Sequence, residues 1–518
     1  MKPKIFFTLV SVALLCVTCK NEDLGNYDYH EITDMKIAGI DSIYQVMVDV
    51  GFLDITPAII LSDGGNPDDP RYEYLWISNK LMGRRDTIGH ERTLHWQASL
   101  PIDSYDLYFR VTDKETGMLW KFNAKYNIVS YHSRGFLMIG ENAQGKVQVQ
   151  MLSMLTGQDT VLYTNLLANS ELPELTGPKE VFHTGSSGGT NTRRIWVITE
   201  SGSYWIDRFS LKSSPINTLN SFMLTPHIPA LNLVNLAPRI KQQDGGTGVN
   251  GQRFFITGDG NMYASYISIY GGIYEFPVNC LANDLNTYFP ASPCMFYALN
   301  SVNAIVWYDT NNERFMIYTS ALNKNSTLLT DGANDSFPWN QEKTGRTLIY
   351  GENTRDTEGG SGDGNSFAIM HSDTENSTFI YKFYAKNPPQ KRACYTVSAD
   401  ARTVGFDQAE FYAFSSNRPL VFFVATDHKL YCYDYNPGNE RVYPVNIGTN
   451  DRISMIKFDR ECEPTSDYLY IATCNAANEG TLTKYSINTM GEAVLTPVPH
   501  ATWTGLVKIV NMSWRGSE

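Results

Sequence analysis

The chain has 518 residues, 42% of them hydrophobic and 19% charged, with a formal net charge of −12. That length exceeds what one core usually supports, so more than one domain is expected. The acidic balance argues against a nucleic-acid partner, because such binding rests on Lys and Arg neutralising phosphates.

At the amino end, Lys2 and Lys4 precede an apolar run of 13 residues, "IFFTLVSVALLCV" (Ile5–Val17). The run is short for a membrane span and fits the h-region of a signal peptide. Leu15-Cys16-Val17-Thr18-Cys19 then resembles a bacterial lipobox with Cys19 as the lipidated residue, although Thr18 stands where Gly, Ala or Ser is usual. The two cysteines also form a C-x-x-C pair, but a redox or zinc role would need a folded context that a leader lacks. Glu22 and Asp23 follow, resembling the acidic signal that carries lipoproteins of Bacteroidota to the cell surface; a solvated linker is the alternative. The expected layout is a signal peptide over 1–18 and a lipidated tether over 19–33, anchored to the outer membrane and facing the exterior. Processing removes Lys2 and Lys4 and takes the formal charge from −12 to −14. No later stretch reaches 18 consecutive apolar residues, so the lipid is the expected membrane attachment.

Residues 34–130 read as a small β-sandwich. "YEYLWIS" (Tyr72–Ser78) alternates around Trp76, a candidate core residue. "SYDLYFRVTDKETGMLWKFNAKYNIV" (Ser104–Val129) predicts strand, turn and strand, with "DKETG" supplying the turn chemistry. The order Y-x-Y-x-W, then Y-x-L-x-x-x-V-T-D, resembles PKD domains, which are immunoglobulin-like sandwiches.

Residues 131–518 carry a recurring unit: an apolar strand, a Gly/Asn/Asp turn and a second alternating strand. Examples are "RGFLMIGENAQGKVQVQMLS", "QRFFITGDGNMYASYIS" and "PLVFFVATDHKLYCYDY". Seven such units start at Arg134, Arg193, Gln252, Asn303, Ser366, Pro419 and Asp467, about 55 residues apart, with no helix-period segment between them. That pattern predicts a seven-bladed β-propeller, so the fold class expected for the chain is all-β. The last strand, "GLVKIVNMSWR" (Gly505–Arg515), has no hairpin partner after it. It is expected to complete the blade of Arg134–Ser153 and so close the ring, leaving no open edge.

Candidate chemistry is sparse. Gly185-Ser186-Ser187-Gly188-Gly189 spells G-x-S-x-G, but a nucleophile elbow needs a strand-to-helix turn, so a loop is expected. None of the nine histidines forms H-x-x-x-H or H-E-x-x-H. The acidic, glycine-rich stretches Ser62–Pro70 and Asp356–Ser366 offer oxygen ligands without EF-hand spacing, and turns are the expected reading. Asp244–Gln252 is another such loop with no ligand set. No metal or cofactor is expected. Cys280 and Cys294, and Cys462 and Cys474, lie 14 and 12 residues apart. Each pair would suit a disulfide closing a local loop, with buried free thiols as the alternative.

A leader with a lipobox, the tether phrase "LGNYDYHEI", a PKD-like domain and a repeat body together resemble PKD-like family lipoproteins of Bacteroidota. That resemblance implies an association with importers of the SusC/SusD type, a TonB-dependent channel capped by a surface lipoprotein. It implies an accessory or substrate-binding subunit for an oligopeptide or oligosaccharide, a binding protein rather than an enzyme. A propeller enzyme acting on glycans or peptides and a surface adhesin are the competing readings. The enzyme would need carboxylates or a histidine clustered at the central funnel.

Overall fold

In a computed structural model, the described residues are 33–80, 83, 85–155, 159–184, 194–229, 231–237, 252–299, 302–320, 322–488 and 493–516. Cys19, Glu22 and Asp23, the G-x-S-x-G stretch 185–189 and nearly all of 244–252 lie outside them. The chain divides after Val129 into two units. In the first, Asp103–Asp113 buries every second residue, as a strand with one face on a core must. It pairs antiparallel with Tyr72–Asn79 on one side and Leu119–Val129 on the other. Arg85–Gly89 and Ile43–Met47 complete a five-stranded sheet, the last pairing parallel with Leu119–Val129. Two short sheets, Met35–Ala38 with Ala58–Leu61 and Phe52–Ile55 with Leu94–Gln97, share its core. Trp76 is fully buried there, with its ring 4.4 Å from that of Phe109. Its indole N–H donates to Glu91 O at 3.0 Å, which removes the cost of burying that group.

The "DKETG" turn is held by its first residue. Asp113 is buried, accepts from the Glu115 N–H and the Thr116 hydroxyl, both at 2.9 Å, and pairs with Arg71. The guanidinium holds the Asp113 carboxyl well below the usual carboxylate range.

The second unit is built from antiparallel meanders whose central strands are apolar on both faces. In Gly135–Glu141, Phe136 and Met138 enter one buried cluster while Leu137 and Ile139 enter another. In Leu420–Val424, Leu420 and Phe422 face one way, Val421 and Phe423 the other. This explains why the sequence shows continuous apolar runs here and alternation in the sandwich. Among the described residues there are seven meanders, five of them separate sheets and two joined in one seven-stranded sheet. A distinct buried cluster lies between each meander and the next, including between the last and the first. The unit is thus a β-propeller closed on itself.

Closure comes from Val494–Arg515, one strand of 22 residues serving two meanders. Its first half pairs with Glu479–Asn488; its second half pairs with Gly135–Glu141, so that Arg515 faces Gly135 and Trp514 faces Phe136. The change of partner falls between Val507 and Lys508, just after a bulge that holds Gly505, whose φ of +73° lies in the left-handed region that glycine tolerates. Gly140 and Gly480 flank the crossing: a Cβ on either would sit 2.1 Å from Lys508 O or 1.9 Å from Val507 O. Trp514 is 1% exposed and packs edge-on to Phe136 with centroids 4.9 Å apart. The closing strand predicted from the sequence is therefore present, in the predicted blade.

Two expectations follow from these contacts. Trp514→Ala should destabilise the second unit by about 3–5 kcal/mol through the cavity it leaves in the closing cluster. The same change at half-buried Trp503 should cost less, as chemical denaturation followed by tryptophan fluorescence would measure. For Asp113, a carboxyl with a lowered folded pKa gives stability that is present above the unfolded value, about 4, and lost as pH falls toward the folded one. Asp113→Asn should therefore be less stable than the parent at neutral pH, with the gap narrowing below about pH 4. A gap independent of pH would show that the pair with Arg71 contributes nothing through charge.

Candidate functional site

Met262–Tyr266 is the outer strand of the third meander, which has three described strands where the fourth to seventh have four. Instead of continuing into another hairpin, the chain makes one helical turn, Ile267–Tyr270, ended by Gly271 at φ +64°. It then returns along the exposed edge. The Val278 N–H donates to Met262 O at 2.7 Å. The buried side chain of Asn279 supplies the bonds that a further strand would have made. Its Oδ1 accepts from the Met262 N–H at 3.0 Å, and its Nδ2 donates to Gly260 O at 3.1 Å and Phe289 O at 2.8 Å. Asn279 thus satisfies a strand edge that would otherwise lack partners.

Two more segments are tied onto this one. The Leu224 N–H donates to Tyr274 O at 2.8 Å. Ser326 donates its hydroxyl to Val278 O at 2.9 Å and accepts from the Trp307 indole at 3.0 Å. The Tyr318 hydroxyl donates to Asn323 O at 2.8 Å, fixing the wall that carries Leu322 and Lys324. Between these segments lies a cavity of about 470 Å³, within the range of small-molecule sites, about 300–1,000 Å³. Eighteen large hydrophobic side chains are exposed among the described residues, and six of them line this cavity: Leu224, Tyr270, Phe276, Leu285, Tyr288 and Leu322. Phe276 is 62% exposed. Scattered exposed apolar residues need no explanation, but a third of them around one concavity makes it the candidate site. The polar groups at the cavity include Glu275, Asn286 and Lys324. Burial pushes the Tyr288 phenol up, which keeps it a hydrogen-bond donor. No residue of this site stood out in the sequence. Its segments are distant in the chain and share no motif, and exposure of an aromatic is invisible before folding.

The inner strands meet in a polar lattice. Glu352 pairs with Arg460 at 2.7 Å and accepts from the Phe414 N–H at 2.9 Å. Asn511 bonds Glu180 at 3.2 Å, and Lys457 donates to Met512 O at 2.7 Å. These carboxylates tie neighbouring inner strands together, which is a structural use rather than acid–base chemistry. In the acidic loops the oxygens are likewise engaged. Asp63 and Asp69 accept from the N–H groups of Gly65 and Arg71 at 2.8 and 2.9 Å, while Asp356 and Glu358 hold Lys382. The first stretch is turn and loop, and the second holds the short 3-10 helix Glu358–Gly360 before the strand that starts at Ser366.

The cysteines require a correction. Cys280, Cys294, Cys462 and Cys474 are free thiols, as are Cys394 and Cys432. Cys280 donates to Lys324 O at 3.3 Å beneath the cavity, whereas Cys294 packs toward Gly351 of the next meander. Cys462 lies near the Leu469 end of Leu469–Cys474 and Cys474 at the other. Five residue steps of strand, roughly 17 Å, separate those ends, too far for an S–S bond. Short sequence spacing misled because a strand intervenes. Asp459, Cys462 and Glu463 do converge, but three backbone N–H groups bond Asp459 and Lys484 binds Glu463.

Comparison with known proteins finds that residues 20–176 match the PKD-like family, a range that takes in the sandwich and the first strands of the closing blade. No curated protein matches the chain. Among solved structures, a quinonprotein alcohol dehydrogenase-like protein of Bacteroides thetaiotaomicron is 12% identical, with a TM-score of 0.35 over 90% of this chain and 97% of its own. The Cps50 (Swd1) β-propeller domain of Myceliophthora thermophila is 10% identical, with a TM-score of 0.37 over 68% and 98%. Sqt1 of Saccharomyces cerevisiae is 10% identical, with a TM-score of 0.38 over 73% and 86%.

Burial pushes the thiols of Cys432 and Cys462 up to about 12 and that of Cys394 to about 11. All three should resist iodoacetamide near pH 8 and react only after denaturation, since the thiolate is the reactive form. Mass spectrometry of alkylated protein would read this, and the unfolding midpoint should not move on adding reductant. A midpoint that falls with reductant would restore a disulfide.

Proposed function

We propose that this protein is a surface-exposed outer-membrane lipoprotein, anchored through Cys19. In this reading it serves as the substrate-binding or accessory subunit of a SusC/SusD-type nutrient importer. The observation that carries the reading is the cavity beside Met262–Tyr266, where six exposed apolar side chains converge with Glu275 and Lys324. A site of that size and lining captures a ligand, and the segment ties around Asn279 keep it preformed. The acidic signal Glu22-Asp23 and the PKD-like match support the address and the company such a subunit would keep. We read the seven meanders as seven blades. The enzyme reading has less support, since Glu352 and Glu180 are occupied as inter-strand ties.

The test is extraction of the lipidated protein from its own outer membrane in mild detergent, followed by mass spectrometry of what co-purifies. A channel and its lid lipoprotein in stoichiometric amount are the expected companions, lost when Cys19→Ala prevents anchoring. Recovery of the protein alone would remove the importer-subunit reading.

A further inference from the structure

The chemistry of the same cavity narrows its ligand, a step that rests on the binding reading above. Its walls combine branched aliphatic side chains, such as Leu224, Ile273 and Leu285, with the rings of Phe276 and Tyr288. Asn286, Asn323 and the phenols could meet some hydroxyls of a sugar, but those turned toward the aliphatic walls would go unpaired, and burying unpaired polar groups is costly. A bulky apolar side chain meets no such penalty. The charges point the same way. Glu275 and Lys324 both line the cavity, both are exposed, and neither has an ion-pair partner among the described residues. One complements an ammonium and the other a carboxylate; a short unblocked peptide carries both, and a neutral glycan carries neither.

We propose that this cavity binds short peptides with free termini and a bulky apolar residue. The apolar side chain sits against the aliphatic and aromatic walls, the peptide carboxylate pairs with Lys324, and the peptide ammonium pairs with Glu275.

The test is calorimetric titration of the full lipidated chain in detergent with four probes: Ala-Phe-Ala, its C-terminal amide, Ala-Ser-Ala and maltotriose. Ala-Phe-Ala should bind about tenfold or more tightly than Ala-Ser-Ala or maltotriose. Phe276→Asp should abolish binding, and because Phe276 and Leu322 are both exposed, Leu322→Asp stands in if the first variant does not fold. Lys324→Gln should weaken the free acid by about fivefold and leave the amide unchanged. Equal weakening of acid and amide would remove the carboxylate assignment. Preference for maltotriose would overturn the peptide class while leaving a ligand-binding subunit standing. Binding of no probe, by a chain that still co-purifies with a channel, would overturn the inference and not the importer reading. A concentration-dependent dimer that Phe276→Asp dissociates would likewise overturn it, by assigning the patch to a second copy of the chain.

Discussion

Everything in the larger unit depends on sheets that are apolar on both faces. A meander whose central strand reads Phe136-Leu137-Met138-Ile139 has no side it can turn to water, so each one needs a neighbour on either hand. An open row of such meanders would leave two apolar faces bare at its ends. Only a ring satisfies them all. Val494–Arg515 solves the joining problem by belonging to two meanders at once, changing partner between Val507 and Lys508 and squeezing past Gly140 and Gly480. No covalent bond closes the circle; with six free thiols in the unit, closure rests on the cluster holding Trp514 and on the strand pairing beside it.

The same constraint explains why so much of the architecture could be read from the chain. Where both faces are buried, a strand becomes an unbroken apolar run such as "LVFF", and a run of that kind repeating about every 55 residues has few other homes. The orphan strand at the carboxyl end was legible because every other strand had a hairpin partner and it did not. In the sandwich, alternation around Trp76 and the turn chemistry of "DKETG" marked strands that keep one wet face.

What escaped the sequence is what depends on distance across the fold. Cys462 and Cys474 look adjacent on paper, yet a six-residue strand holds them apart. The cavity is assembled from the neighbourhoods of Leu224, Phe276, Leu285 and Leu322, whose separations carry no period and no motif. Asn279 is the one residue whose type hints at its role, since a buried amide can stand in for a strand backbone. Nothing local distinguishes it from the other asparagines.

The candidate site lies on the outer side of the packing that holds the ring, sharing Val278 and Ala264 with one of its clusters. The seven clusters between meanders hold the fold, and the segment beyond Met262–Tyr266 adds Tyr274, Val278, Leu281 and Phe289 to two of them. An outer edge can be rebuilt at small cost: here a helical turn, a returning segment and one buried amide replace a fourth strand. The replacement leaves apolar side chains uncovered that a strand would have hidden. In a closed ring, that is where exposed apolar surface can be tolerated without loosening the core, because the strand edge itself is already satisfied. The cavity is thus a consequence of how the third meander ends.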